Sequence, residues 1–172
     1  MNDFDESLAA GKVGESEIAG WLKSKGFNVL PVYDIEKHQY SGPAVYTADG
    51  GSLIAPDMLV FKQSKIVWVE AKHKTAFSWH RITSRWVTGI DLHHYSQYQE
   101  VAKLVDWPIW LMFLHKGGQA KDSAPNSPAG LFAGPIDRLV VDENHRHQNY
   151  GKSGMVYWAI DKLNKLENYP LI

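Results

Sequence analysis

The chain has 172 residues, 44% apolar and 22% charged, with a formal net charge of −1 and no cysteine. That composition is globular rather than disordered and gives enough chain for one core without staples, while it excludes a disulfide framework and a thiolate zinc site. No apolar run approaches the roughly 20 residues that span a bilayer, and the opening MNDFDESLAAGK lacks the basic and apolar regions of a secretion signal; a soluble, intracellular (cytoplasmic) protein of one domain, 1–172, is expected.

From about Phe4 to Lys25 the spacing predicts a helix, closed by Gly26 before the strand-like FNVLPVY. At 100° per residue Leu8, Ile18, Ala19 and Leu22 form one stripe, with Glu15 at its centre and Glu17 almost opposite, so one glutamate is expected to point toward the protein. Gly11, Gly14 and Gly20 weaken this helix by about 1 kcal/mol each relative to alanine, which suggests close approach by another backbone.

Residues 34–52, DIEKHQYSGPAVYTADGGS, are rich in turn formers and read as an exposed excursion with a short strand at AVYT. DMLVF and KIVWVEAK follow as two strands around KQS. From Ala71 to Ile90 the chain carries Lys72, Lys74, Arg81 and Arg85 with His73 and His80, and neither Asp nor Glu. The segment HKTAFSWHRITSRW within it reads either as a surface helix or lid with its aromatics packed inward, or as a patch where Lys74, Arg81 and Arg85 meet phosphates while Trp79 or Phe77 stacks on or wedges between bases.

DLHHYSQYQEVAKLV is a second helix, N-capped by Asp91, with Tyr95, Tyr98, Ala102 and Val105 on one face. PIWLMFLH, 108–115, is apolar on both faces and reads as a central strand covered by helices on either side. After the loop KGGQAKDSAPNSPAG, the segments LFAGPI and MVYWAI read as short strands and DKLNKL as a brief terminal helix. His145 and His147, spaced for a metal, fall in a polar stretch that reads as a solvated loop.

The chemistry is concentrated in the strand pair. If Gln63 and Ser64 form a two-residue turn, Phe61 pairs with Ile66, Val60 with Val67, Leu59 with Trp68 and Met58 with Val69, and Asp57 then faces Glu70. Like charges opposed across an antiparallel pair are destabilising. Alternation puts Glu70 and Lys72 on one face and leaves Val67, Val69 and Ala71 to pack under a helix. Two facing carboxylates, with a third from Glu15, suit a hard divalent cation such as Mg²⁺, and the adjacent lysine could stabilise hydroxide or the charge of a hydrolytic transition state. Taken singly, Asp57 also reads as a turn aspartate after Pro56, and Glu70 with Lys72 as a solvated ion pair.

APD, twelve residues, then EAK resembles the PD-(D/E)XK nuclease superfamily, and GESEIAGWLKSKGFNVL is similar to the first helix and strand of its Holliday-junction-resolvase-like members, with Glu15 rather than Glu17 at the matching glutamate. The resemblance spans residues 11–115 and leaves 116–172 as a C-terminal extension. It implies a restriction-endonuclease-like α/β fold, a mixed central sheet flanked by helices with an αβββαβ core. It also implies a DNA-hydrolysing endonuclease for branched or duplex substrates, in which Asp57, Glu70 and the Ala71 carbonyl bind Mg²⁺ or Mn²⁺, Glu15 completes or orients the site, and Lys72 helps to activate water. Lys74, Trp79, Arg81 and Arg85 are the expected DNA contacts. A homodimer is the expectation for an enzyme that cuts a duplex or junction at two sites, with no interface marked in the sequence. The alternatives are an RNA- or end-processing nuclease of the same fold, or a non-catalytic nucleic-acid-binding subunit. The QxxxY pattern of the exonuclease-like branch is absent from the second helix.

Overall fold

A computed structural model describes residues 3–32, 42–119, 125–151 and 153–166, with side chains from residue 11 onward; the side chain of Leu8 in the predicted stripe, the 34–52 excursion before Gly42 and the centre of the 116–129 loop lie outside what it describes. Helix α1 (Asp3–Ser24) ends where the sequence predicts. Gly26, at φ 81°, lets its own N–H reach the Lys23 carbonyl and the Phe27 N–H reach that of Leu22, which satisfies carbonyls the helix end would leave bare.

The strands are β1 (Asn28–Pro31), β2 (Ala44–Tyr46), β3 (Ser52–Ile54), β4 (Met58–Lys62), β5 (Lys65–Lys74), β6 (Ser78–His80) and β7 (Arg85–Asp91). Helix α2 (Leu92–Leu104) precedes β8 (Ile109–His115), β9 (Gly130–Pro135), helix α3 (Ile136–Val141), β10 (His145–His147) and β11 (Met155–Ala159). A 3-10 turn (Ile160–Lys162) and β12 (Asn164–Lys165) follow. The main sheet has six strands in the order β1-β4-β5-β8-β9-β12, a second has four in the order β10-β11-β7-β6, and β2 pairs with β3 alone.

In chain order α1, β1, β4, β5, α2 and β8 form the expected αβββαβ core. β1, β4 and β5 make an antiparallel meander, and β8 lies parallel to β5 after a crossover. The β4–β5 hairpin has the predicted register, from Lys62 opposite Lys65 to Met58 opposite Val69. Its tight turn requires a positive φ at Gln63, 55°.

The sheet separates two apolar layers. On one face Ile18 and Leu22 of α1 cover Val67, Val69 and Ala71 of β5, with Met58, Val60, Trp110 and Met112 around them. On the other, Tyr95, Tyr98 and Val101 of α2 meet Ile109, Leu111 and Phe113 of β8, with Ile90, Val156 and Trp158 of the second sheet. β8 is thus covered on both sides, but on the α2 side the cover is a helix and a sheet together.

Three expectations are corrected. The segment around SWHRITSRW is a β-hairpin, β6 to β7, because β7 finds a long-range partner in β11. DKLNKL is not a helix: after one tight turn Leu163 and Leu166 bury themselves, and the Leu166 N–H bonds to the Leu131 carbonyl at the sheet edge. His145 and His147 lie in β10 rather than in a loop. Strands from beyond Lys116 complete both sheets. Among the described residues no helix is long and apolar enough to cross a membrane.

Candidate active site

The β4–β5 ladder ends at Met58 opposite Val69, and Asp57 stands one step beyond it. Its backbone carbonyl accepts from the Val32 N–H at 3.0 Å, which extends the pairing with the chain after β1. Its side chain turns the other way: Asp57 Oδ2 accepts from the Ala71 N–H at 2.8 Å. A carboxylate therefore bonds the β5 backbone where the ladder has stopped, and the strands part there beside Glu70.

Glu70 is 1% exposed. One carboxylate oxygen forms an ion pair with Lys72 Nζ, and the other, Oε2, is buried with no hydrogen-bond partner. Burying a carboxylate is costly, and an unmet acceptor adds to the cost. Such an oxygen marks a place where something else is to bind.

The surrounding charges act on one another. Burial, then the Glu70 charge, pushes the Asp57 carboxyl up to about 8 against the opposing pull of Lys72 and the Ala71 N–H. Glu15 is also raised, by burial and then by Glu70. For Lys72, burial favours the neutral amine, but Glu70, Asp57 and Glu15 together outweigh it and hold the ammonium above its usual range. Lys72 is thus a cation with donors to spare, and its side chain is 27% exposed.

The structure brings Asp57, Glu70 and Lys72 together and puts Glu15 within electrostatic reach of all three. The predicted helical phase is off by one position. The buried line of α1 runs through Gly14, Ile18 and Leu22, and Glu15 stands at its rim, exposed as a residue although its carboxyl is partly withdrawn from water on the side of Glu70. Gly14 sets that line because a Cβ there would collide with the His73 side chain. Gly11 and Gly20 have nothing within 4 Å of such a Cβ, so of the helix glycines only Gly14 serves close approach. Glu17 is exposed.

Among the described residues no three His, Asp or Glu side chains converge as a ready-made metal cage. The donors nonetheless fit a divalent cation: Asp57 and the unpartnered Glu70 Oε2 are hard oxygen ligands, and Mg²⁺ binds through one or two carboxylates while keeping several waters.

The expected DNA contacts divide. Arg81 is exposed at the β6–β7 turn. Arg85 is exposed but paired with Asp161 at 3.1 Å. Trp79 is half-buried and packs edge-on against Trp86, with ring centroids 5.2 Å apart. Phe77 is removed from the candidates: it is fully buried and stacked 3.6 Å from His115. Lys74 shares the face of Glu70 and Lys72 and is half-buried; burial, then the Lys72 charge, lowers its ammonium to about 8.

Two residues beside the site are not recognisable as such from the sequence, where Tyr98 belongs to the apolar face of the second helix and His94 has no assigned role. Tyr98 is 1% exposed on α2; burial, then the Glu70 carboxylate with which its hydroxyl interacts, raises the phenol far above its ordinary value and keeps it a donor. His94, one turn earlier, packs edge-on to Tyr98 at 6.2 Å; burial, then Lys72, lowers its pKa. Their i, i+4 spacing, starting from the Asp91 cap, was the available signal. Tyr98 reads as core from periodicity alone because the face it occupies is apolar except at Glu70.

No family model matches the chain, and no curated protein matches it. Among solved structures it is similar to Hjc, a Holliday junction resolvase from the archaeal hyperthermophile Archaeoglobus fulgidus, at 9% identity and a TM-score of 0.49, covering 88% of this chain and 85% of that one. It is also similar to D212, a nuclease from a fusselovirus, at 8% identity and a TM-score of 0.44, covering 96% and 89%. By the order and pairing of its own elements, the chain is an α/β fold with a mixed central sheet and the αβββαβ core that the sequence resemblance implies.

Proposed function

We propose that the protein is a metal-dependent nuclease that hydrolyses DNA phosphodiester bonds within branched or duplex substrates. The observation that carries this reading is the buried Glu70 carboxylate, with one oxygen on Lys72 and the other unpartnered, beside Asp57 at the point where β4 and β5 part. A structural ion pair would satisfy both oxygens or lie in water.

In this reading Asp57, Glu70 and the Ala71 carbonyl hold one or two Mg²⁺ or Mn²⁺ ions, which when bound polarise the scissile phosphate and favour hydroxide. The Ala71 N–H fixes the Asp57 carboxylate, and the Tyr98 hydroxyl fixes that of Glu70. Lys72, against the cost of its burial, is held cationic by the Glu70 carboxylate above all. It therefore acts as a charged donor, orienting the attacking water and meeting the negative charge that builds on the phosphoryl oxygens, rather than as a base. Glu15, at the rim, orients the site rather than closing a cage.

The test is incubation of the purified protein with Mg²⁺ or Mn²⁺ and labelled linear duplex, single-stranded, flap and four-way-junction DNA, alongside Lys72→Ala. Metal-dependent internal cleavage by wild type, lost in Lys72→Ala while DNA binding persists, is the expected result. Wild-type turnover in Lys72→Ala, or no cleavage of any substrate by wild type, refutes the reading.

A further inference from the structure

The most exposed large apolar side chain among the described residues is Ile82, at 90%. It stands at the tip of the β6–β7 hairpin, between Arg81 and a Thr83-Ser84 pair whose Ser84 takes φ 50° to close the turn. A solvated isoleucine at the tip of a loose loop would mean little, since single exposed apolar residues are common. Here the hairpin is braced at every level below the tip.

His80 Nδ1 and Thr83 Oγ1 are hydrogen-bonded at 2.8 Å across the turn. The Trp79 and Trp86 rings meet edge-on at 5.2 Å on one face. On the other face the His80 ring stacks on His145 at 3.9 Å, and His145 stacks on Tyr157 at 4.6 Å, the planes within 9° and 5° of parallel. Tyr157 lies over Gly89, where any Cβ would come within 2.8 Å of its ring. Arg85 ties the strand to Asp161 at 3.1 Å. The hairpin is thereby fixed to β10 and β11, and its tip is held out as a rigid arm.

The arm springs from the strand that carries the candidate site. Lys74 ends β5, three residues separate it from Ser78, and β7 leads directly through Asp91 into α2, which bears His94 and Tyr98. The charge along it suits a polyanion: Arg81 is exposed and makes no ion pair among the described residues, and no Asp or Glu occurs from Ala71 to Ile90. A rigid apolar tip beside an exposed guanidinium is the combination with which proteins part stacked bases while holding the adjacent phosphate.

The geometry points to Ile82 as a wedge that enters double-stranded DNA between base pairs, with Arg81 on the flanking phosphate, so that the protein prefers duplex that is already opened, such as a branch point or flexible step. This deepens the nuclease reading above and rests on it for the identity of the partner. The wedge role expected of Trp79 or Phe77 passes to the residue that is free to take it.

The experiment uses the full chain in EDTA, where cleavage plays no part, and four-way-junction and linear duplexes carrying 2-aminopurine at candidate steps. Wild type should raise 2-aminopurine fluorescence on the junction. Ile82→Ala should abolish that rise and weaken junction binding about tenfold, the order expected for an isoleucine losing its burial, with linear-duplex affinity nearly unchanged. Ile82→Leu should restore both signals. Cleavage of linear duplex with metal, measured in parallel, reports on the active-site reading alone. If wild type cleaves but Ile82→Ala matches it in fluorescence and junction affinity, the wedge is overturned and the nuclease stands. If wild type binds no DNA, or Ile82→Ala changes only self-association in sedimentation, the tip is not a DNA contact and the inference is overturned.

Discussion

Replacing Asp57 by asparagine tests whether the site stores repulsion. Burial and the neighbouring Glu70 raise the Asp57 carboxyl to about 8. That is about four units above an ordinary aspartate, and at about 1.4 kcal/mol per unit the ceiling on the cost of ionising it in the fold is about 6 kcal/mol. Two effects reduce what asparagine recovers. The bond from the Ala71 N–H to a carboxylate is stronger than the same bond to an amide oxygen by about 1 kcal/mol, and Lys72 loses an attractive partner. A cross-strand like-charge pair at the surface is worth only about 0.2 to 1 kcal/mol, which sets the floor. We expect about 1 to 3 kcal/mol of stabilisation, or roughly 3 to 10 °C in Tm for a chain of this length. The pH dependence follows from the raised pKa. Between about pH 4 and pH 8 the native state keeps a proton that the unfolded chain has released, so wild-type stability from this group falls as pH rises through that window. An asparagine side chain, which does not titrate, cannot show that fall. Thermal melts in EDTA should find Asp57→Asn close to wild type near pH 4 and increasingly more stable toward pH 8, with a constant gap above. Mg²⁺ or Mn²⁺ should stabilise wild type by linkage and the variant much less. A variant that melts below wild type at pH 8 in EDTA, or gains as much from metal, would show that Asp57 is a structural cap.

Glu15→Gln should lower cleavage about 10- to 100-fold, as for groups that orient a metal site through neighbours, while Glu17→Gln, exposed on another part of α1, should leave it unchanged; equal effects in a steady-state assay would remove Glu15 from the site. Arg81→Ala should weaken DNA binding and reduce the slope of log K against log salt by about 0.9, the share of one phosphate contact. Arg85→Ala should change the slope less, because Asp161 already holds its guanidinium. Titrations at several salt concentrations that give the two variants the same slope would contradict the difference in pairing.

The hairpin that carries the site was legible to the residue. Period-two alternation and a two-residue turn leave one register that buries Val67 and Val69, so the step from Met58–Val69 to Asp57 beside Glu70 follows from sequence alone. The phase of α1 was less legible because the residue that sets it is Gly14, which has no side chain to contribute to an apolar pattern and is buried through contact with His73. The β6–β7 hairpin was hidden for another reason. Its turn has no glycine or asparagine, Ser84 supplies the positive φ, and the strand's stable partner β11 lies more than 60 residues away. Local composition cannot report a pairing of that range, and the same holds for Leu166, whose backbone bond to Leu131 overrides the helical spacing of DKLNKL.

The misplaced charges and the shape of the pocket have one cause. An antiparallel ladder continues as long as each backbone N–H finds a carbonyl across the gap, and here the next N–H, that of Ala71, is taken by the Asp57 side chain instead. A hydrophobic residue at 57 would leave that N–H unmet or let the ladder run on and close over Glu70. Aspartate does neither: its short carboxylate satisfies the β5 backbone, its own carbonyl stays with Val32, and the gap between the strands remains open beside a buried carboxylate. The packed layer beneath α1 makes this tolerable, since Val67, Val69 and Ala71 anchor β5 on the opposite face however the charges on the first face are arranged. Stability is thus supplied by Val67, Val69 and Ala71 on one face of β5 and chemistry by Glu70 and Lys72 on the other, and Asp57 is the side chain at which the hydrogen bonding of the sheet is handed over to the site.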